Sequence, residues 1–106
     1  MYKITFFVPE THLSDVKEAL FLAGAGKIGS YDCCAWQVKG QGQFRALAGS
    51  QPFLGVLNRL EEVEEYRVEM VCDEAKIKEA VQALFNAHPY ETPAYDVVKV
   101  LAFRDL

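Results

Sequence analysis

Two hydrophobic periodicities alternate along the chain, and their order limits the possible fold more than any other feature. Apolar residues that alternate with polar ones indicate strands, whereas apolar residues spaced at i, i+3 and i+4 indicate amphipathic helices. The first pattern predicts strands at residues 2–8, 31–38, 43–47, 66–72 and 94–103, and the second predicts helices at 12–23 and 74–87. Each helix therefore joins strands, and a hairpin is expected between the two helical units.

Turn-forming residues mark the ends of these segments. Gly24 suits the left-handed conformation that ends many helices, and Pro89 cannot continue the second helix. Asp73 is expected to cap the start of that helix. Gly40 and Gly42 are expected to form the turn of the hairpin between the two middle strands.

This order of elements predicts an α+β fold on a ferredoxin-like β-α-β-β-α-β plan, a two-layer sandwich in which helices cover one face of the sheet. Right-handed crossovers favour the same topology. A chain of 106 residues is expected to form one domain over 1–106 with a single core. The stretch at 94–103 is apolar on both faces, which predicts a strand in a covered position.

The uncovered face of the sheet is expected to pack against another chain. Val98, Val100 and Ala102 lie on one side of the last predicted strand, and Val97 and Leu101 lie on the other, so neither side is polar. An exposed apolar patch of this kind usually marks an association surface. We therefore expect a homo-oligomer.

Charge and composition argue against several classes of partner. The net charge is −4, with acidic residues concentrated between 61 and 74, so the protein is not expected to bind nucleic acid. No segment approaches the about 20 apolar residues of a membrane span, and the first residues lack a secretory signal pattern, so a cytoplasmic protein without membrane contact is expected. The three cysteines lack metal-type spacing and are expected to be reduced.

The segment from Gly24 to Gly29 matches the dinucleotide pattern G-x-G-x-x-G. That pattern binds phosphate where it leads from a strand into the N-terminus of a helix, whereas here it leads from a helix into a strand. A Rossmann-type nucleotide site is therefore excluded, and no cofactor is expected. The backbone amides of this loop and the side chain of Lys27 remain candidates for holding an anionic ligand.

The segment from His88 to Tyr95 is the densest cluster of functional residue types. It fits a turn in which His88 meets the free carbonyls of a helix end, and it also fits a ligand site formed by His88, Tyr90 and Glu91. A metal site on His88 and Glu91 is an alternative, although zinc usually needs three protein ligands and only His12 offers another imidazole. Acid and base catalysis by His88 and Glu91 is a further alternative.

Three segments of the chain together resemble one protein family. They are the blocks from Gly24 to Cys34, from Gly49 to Phe53 and from His88 to Tyr95. The chain resembles the domain inserted in bacterial proteins of the Ngg-one-interacting-factor-three (Nif-three-like) family, here as a free-standing protein. That domain is similar in fold to the nitrogen-regulatory PII proteins and to the CutA divalent-cation-tolerance proteins, and CutA proteins share the His-Pro-Tyr-Glu motif found here at 88–91.

The resemblance implies a PII-like or CutA-like trimer. Full-length members of the family, described as type 2 GTP cyclohydrolase-like, carry a dinuclear metal site in flanking segments that have no counterpart here, so neither that site nor a hydrolase activity is expected. The favoured hypothesis is a non-catalytic cytoplasmic binding or regulatory module that holds a small ligand or protein partner near the turn at 88–91. The alternative is a CutA-like protein that binds a divalent metal through His88 and Glu91, with or without a cysteine.

Overall fold

The computed structural model describes all 106 residues and contains four strands and two α-helices. The elements in chain order are β1 (Tyr2–Pro9), a 3₁₀ turn (Glu10–His12), α1 (Leu13–Leu22), β2 (Trp36–Arg45), β3 (Leu60–Cys72), α2 (Ile77–Ala87), β4 (Tyr95–Lys99) and a second 3₁₀ turn (Phe103–Asp105). The strands form one sheet in the order β2-β3-β1-β4, with every neighbouring pair antiparallel. The ferredoxin-like α+β fold predicted from the sequence is confirmed.

The core lies between the two helices and one face of the sheet. Alternate residues of β1 and β3 point towards the helices because successive side chains of a strand face opposite sides. The fully buried members of this core include Ile4, Phe6, Val8, Val16, Leu20, Val68 and Leu84. Neither helix is long and apolar enough to cross a membrane.

The predicted hairpin turn at Gly40 and Gly42 is wrong. Both glycines lie inside β2, which runs unbroken from Trp36 to Arg45 and pairs with β3 over its whole length. Glycine within a strand often marks a place where another group approaches closely. At Gly42 that group is the Glu65 carboxylate, which occupies the space that a Cβ atom would need. The true connection between the two strands is the loop at 46–59.

The last strand is shorter and more exposed than predicted. β4 ends at Lys99, which pairs with Tyr2 at the very start of β1, so the backbone beyond it has no further strand to join. The next residue is held by one bond, from the Val100 N–H to the Met1 carbonyl at 3.0 Å. Within one chain β4 is therefore an edge strand, not a covered one.

The glycine-rich loop after α1 is a structural connection. Gly24 has a φ of +107°, as predicted for a residue that ends a helix, and the Ala25 N–H that follows donates to the Leu20 carbonyl at 3.0 Å. Gly26 is buried, and its N–H donates to the carbonyl of Val71 at 2.8 Å. The loop therefore fastens the end of α1 to the end of β3.

The start of α2 also differs from the prediction. Asp73 does not cap the helix, which begins at Ile77. Instead the Lys76 N–H donates to the Asp73 carbonyl at 3.0 Å, so residues 73–76 form a separate turn before the helix.

Part of the β2–β3 pair extends beyond the rest of the sheet. β1 pairs with β3 only at residues 65–72, so residues 60–64 are paired with 41–45 alone. We call this two-stranded part, 41–45 with 60–64, the ribbon. It accounts for the elongated shape, 48 × 24 × 23 Å, and for a radius of gyration of 14.9 Å. A compact domain of this length has a radius near about 13 Å.

Candidate functional site

A cavity of about 420 Å³ lies where the ribbon joins the main sheet. Its walls come from three parts of the chain: the paired strands β2 and β3, the loop at 46–59, and the turn at 88–94 that leads from α2 to β4. Half of the 14 lining residues are hydrophobic, and most of the others are polar or charged. The residues that matter below are Phe44, Arg45, Phe53, Glu65, Tyr90 and Glu91.

The loop and the turn are held together by a hydrogen bond. The backbone N–H of Gln51 donates to the carboxylate Oε2 of Glu91 at 2.9 Å. The loop is also fixed internally, because the Ser50 hydroxyl donates to the Leu47 carbonyl at 2.6 Å. Two of the sequence blocks that carried the resemblance, at 49–53 and 88–95, therefore meet at this cavity.

Tyr90 lies among aromatic side chains that belong to different segments. Its ring centroid is 6.1 Å from that of Phe53 in the loop and 6.4 Å from that of Phe44 in the ribbon. The ring of His12 packs edge-on against Phe53 at 5.5 Å. Such tilted and edge-on contacts are the favoured geometries of aromatic pairs, and they hold the three walls of the cavity in place.

His88 lies beneath Tyr90 and is buried, with 6% of its surface exposed. Its Nε2 is 2.7 Å from the Phe7 carbonyl, and its Nδ1 accepts the Tyr90 N–H at 3.1 Å. This pair of contacts requires a neutral ring with its proton on Nε2. Burial lowers the pKa of His88, an effect that the bond to Phe7 opposes and the nearby His12 supports. Both ring nitrogens thus hold the turn against β1.

The hydroxyl of Tyr90 is buried, and the carboxylate of Glu65 is the acceptor nearest to it. Burial, followed by the nearby carboxylate of Glu65, raises the pKa of Tyr90 to about 12, so the phenol is neutral at physiological pH. Glu65 is itself only partly exposed and forms no ion pair, and its carboxylate is placed to accept from the Tyr90 hydroxyl. The Tyr90 hydroxyl and the Glu65 carboxylate therefore lie side by side at the wall of the cavity, and the carboxylate has no counter-charge.

The structure brings together three of the four residues proposed from the sequence. Tyr90 and Glu91 line the cavity, and His88 supports Tyr90 from below. Lys27 is exposed and lies at the other end of β3, because its neighbour Gly26 is bonded to Val71. Val71 is six residues from Glu65, which corresponds to roughly 20 Å along an extended strand.

Several lining residues could not be recognised from the sequence. Phe44, Arg45 and Glu65 become neighbours of the turn only through the pairing of β2 with β3. Phe53 belongs to the block at 49–53, which is one of the three segments that resemble the Nif-three-like family. That resemblance marks the block but does not indicate that it forms a binding site. No group of three or more His, Cys, Asp or Glu side chains that could hold a metal ion is present.

The buried His88 makes the stability depend on pH in a defined direction. In the unfolded chain its pKa returns to about 6.5, so between the lowered folded value and 6.5 the unfolded state binds more protons. We expect the contribution of His88 to be fully present above about pH 7 and to be lost progressively as the pH falls from 6.5 towards the lowered pKa of the folded state. The measurement is urea unfolding between pH 5 and 8.

His88→Gln is the matched control for this prediction, because its amide can still donate to the Phe7 carbonyl but does not titrate. The difference in unfolding free energy between wild type and His88→Gln should shrink as the pH falls. His88→Ala should lose about 2 kcal/mol at pH 7.5, the usual cost of leaving a buried polar group unpaired. A difference that is constant across the pH range would contradict a neutral, buried His88.

The sheet order and the two helices on one face define a ferredoxin-like domain. The cavity between the ribbon, the loop and the turn gives this domain a preformed candidate binding site. CutA1 from Pyrococcus horikoshii has the same fold: the TM-score is 0.68 at 17% identity, over 94% of this chain and 83% of that one. A Bacillus cereus protein related to NIF3 is more similar, with a TM-score of 0.78 at 40% identity, over 91% of this chain and 24% of that one.

A curated relative gives the same result from sequence. The chain is 45% identical over 97 residues to a protein of Halalkalibacterium halodurans named GTP cyclohydrolase 1 type 2 homolog, which covers 92% of this chain and 26% of the relative. The resemblance to the PII-like and CutA-like domain of the Nif-three-like proteins is therefore confirmed. The chain spans about a quarter of the length of these relatives. No protein-family model matches the chain.

Proposed function

We propose that this protein is a non-catalytic binding or regulatory module that holds a small ligand or a segment of a partner protein in the cavity beside the turn at 88–91. One observation carries the proposal: the cavity is already formed, and aromatic rings from three segments surround it together with the carboxylate of Glu65. Its size and its combination of apolar walls with polar groups are those of ligand pockets in general.

The contacts of His88 and Glu91 favour binding over catalysis. A general acid or base must reach the reacting group with a free atom. Both nitrogens of His88 are engaged by backbone atoms, and Glu91 accepts the N–H of Gln51. These side chains shape the site, which leaves Tyr90 and the aromatic walls to contact the occupant.

The binding proposal can be tested with a mixture of small soluble fragments added to the isotope-labelled protein. We expect amide resonances of the loop at 46–59 and the turn at 88–94 to shift together. Phe53→Ala should weaken binding about tenfold, because an aromatic contact contributes on the order of 1 kcal/mol or more. Phe85→Ala is the control, since Phe85 is a comparably exposed aromatic outside the cavity. Shifts scattered over the surface, or equal effects of both variants, would refute the proposal.

We also propose that the protein assembles as a homo-oligomer, specifically a trimer. Trp36 and Val98 point away from the helices with 61% and 49% of their surfaces exposed, and Phe103 is 90% exposed. An edge strand and a two-stranded ribbon are also weakly stabilised within one chain. Burial against other copies stabilises all of these features, and the resemblance to PII and CutA proteins favours three subunits.

We place the protein in the cytoplasm in this proposal. All three cysteines are free, and Cys33 is exposed to solvent. Exposed thiols persist in reducing compartments and tend to form disulfides elsewhere. Fractionation of cells that produce the protein tests the location.

A further inference from the structure

The charges that line the cavity are unequal in number and in burial. One positive side chain, Arg45, faces two negative ones, Glu65 and Glu91, which gives a net charge of −1. Arg45 is exposed and hydrated, and Glu91 has the Gln51 N–H as a partner. Glu65 is partly buried without any counter-charge, and a carboxylate removed from water in this way favours a cation beside it.

The position of Glu65 depends on a glycine across the ribbon junction. Its carboxylate lies in the space where a Cβ atom at position 42 would be, so only glycine there lets the acid lie flat against β2. A Cβ atom added at Gly40, two residues away, would have no other atom within 4 Å. The backbone of β2 thus provides a recess for this one carboxylate.

The carboxylate of Glu65 sets the chemical requirement of the site. A carboxylate only accepts hydrogen bonds, and the neutral phenol of Tyr90 can supply no more than one O–H to it, which leaves further lone pairs and the negative charge for a ligand. An ammonium group has three N–H donors and a positive charge. Placed beside Glu65, it would donate to the carboxylate and neutralise it, whereas an anion would be repelled.

The aromatic walls favour the same occupant. Phe44, Phe53 and Tyr90 present rings around the cavity, and aromatic faces attract cations, most strongly where water is excluded. Pro52 and Leu54 complete an apolar surface beside them. A ligand with a cationic head and an apolar body would satisfy both parts.

We propose that the cavity binds a small organic amine in its protonated form, with the ammonium on the Glu65 carboxylate and the apolar part against Phe53 and Leu54. This inference rests on the binding function proposed above for the same cavity. It adds the chemical class of the ligand.

Three probes of nearly equal size and different charge test the inference: 2-phenylethylamine, 2-phenylethanol and 3-phenylpropionate, titrated at pH 7 and followed by amide shifts. The amine is protonated at this pH, as lysine is. We expect the amine to bind at least tenfold more tightly than the alcohol, since charge-assisted hydrogen bonds and cation–π contacts together exceed about 1.4 kcal/mol. The carboxylate should not bind.

Two pairs of variants show whether Glu65 is responsible. Glu65→Gln should weaken amine binding tenfold or more and leave alcohol binding unchanged, whereas Glu64→Gln, the same charge change on the next residue, should alter the affinity less than twofold. Gly42→Ala should displace the carboxylate and weaken amine binding, and Gly40→Ala should not. Amide spectra of the free variants show whether each is folded. If Glu65→Gln does not fold, the comparison of Gly42→Ala with Gly40→Ala tests the role of the Glu65 carboxylate.

The outcomes separate this inference from the binding function. Equal binding of alcohol and amine, or equal effects of Glu65→Gln and Glu64→Gln, overturns the cationic ligand and leaves the cavity as a binding site. No binding of the amine also overturns the inference, and the fragment experiment then decides the binding function independently. Tight binding of the carboxylate assigns the site to Arg45 instead and is likewise a refutation.

Discussion

Gly26→Ala is expected to lower the free energy of unfolding by about 2–5 kcal/mol, a large part of the stability of a small domain. Gly26 has a φ of +77°, a conformation that costs a residue with a Cβ about 1–2 kcal/mol. The added Cβ would also lie 2.7 Å from an atom of the Phe21 ring and 3.0 Å from the Cys34 carbonyl oxygen. Overpacking of this kind costs a further about 1–3 kcal/mol.

Gly29→Ala separates the two causes of that loss. Gly29 also has a positive φ, +56°, but a Cβ there would meet no atom within 4 Å. We expect this variant to lose about 1 kcal/mol, from the backbone conformation alone. Urea unfolding measures both, and Lys27→Ala, which alters an exposed side chain in the same loop, should change little. Equal losses at 26 and 29 would show that the contact with Phe21 has no energetic role.

Val98→Asp is expected to convert the protein from an assembly into single chains. Light scattering at micromolar concentration should give a mass of about 36 kDa for the wild type, three times the 11.9 kDa of one chain. The variant should give the mass of one chain, because an unpaired charge buried in an interface is strongly unfavourable. Val98 is on the sheet face away from the helices, where the interface is proposed.

Leu22→Asp is the matched control for the assembly. Leu22 is an exposed apolar residue of α1, with 82% of its surface accessible, so the same change of charge there should leave the mass unaltered. A wild-type mass of two chains would exclude the trimer but keep an association surface at β4. A wild-type mass of one chain would exclude assembly altogether.

Local periodicity predicted the elements whose side chains pack within the same chain. The pattern predicts a strand at 2–8, and β1 runs from Tyr2 to Pro9; it predicts a helix at 12–23, and α1 runs from Leu13 to Leu22. Both have a clear buried face, so the pattern in sequence reflects the packing in space. The same agreement explains why the ferredoxin-like order of elements could be predicted.

Pairing between distant segments could not be predicted in the same way. Residues 61–65 contain four glutamates and no alternation of apolar residues, yet they belong to β3 because β2 pairs with them. Gly40 and Gly42 suggested a turn because glycine in a strand and glycine in a turn look alike without the partner strand. The register of β2 against β3 places Phe44 and Glu65 at the cavity. This part of the candidate site depends on strand pairing between distant segments, which a local sequence pattern does not reveal.

The ribbon also connects the proposed assembly to the proposed ligand. Phe44 is on the ribbon, whereas Tyr90 belongs to the turn held against β1, so any bending of the ribbon changes the distance between these two walls. Neighbouring subunits that hold the ribbon in one position would therefore alter the affinity of the cavity. Thermodynamic linkage makes the effect mutual: an occupant must shift the association equilibrium by the same factor. Affinities measured at nanomolar and at micromolar protein concentration should then differ.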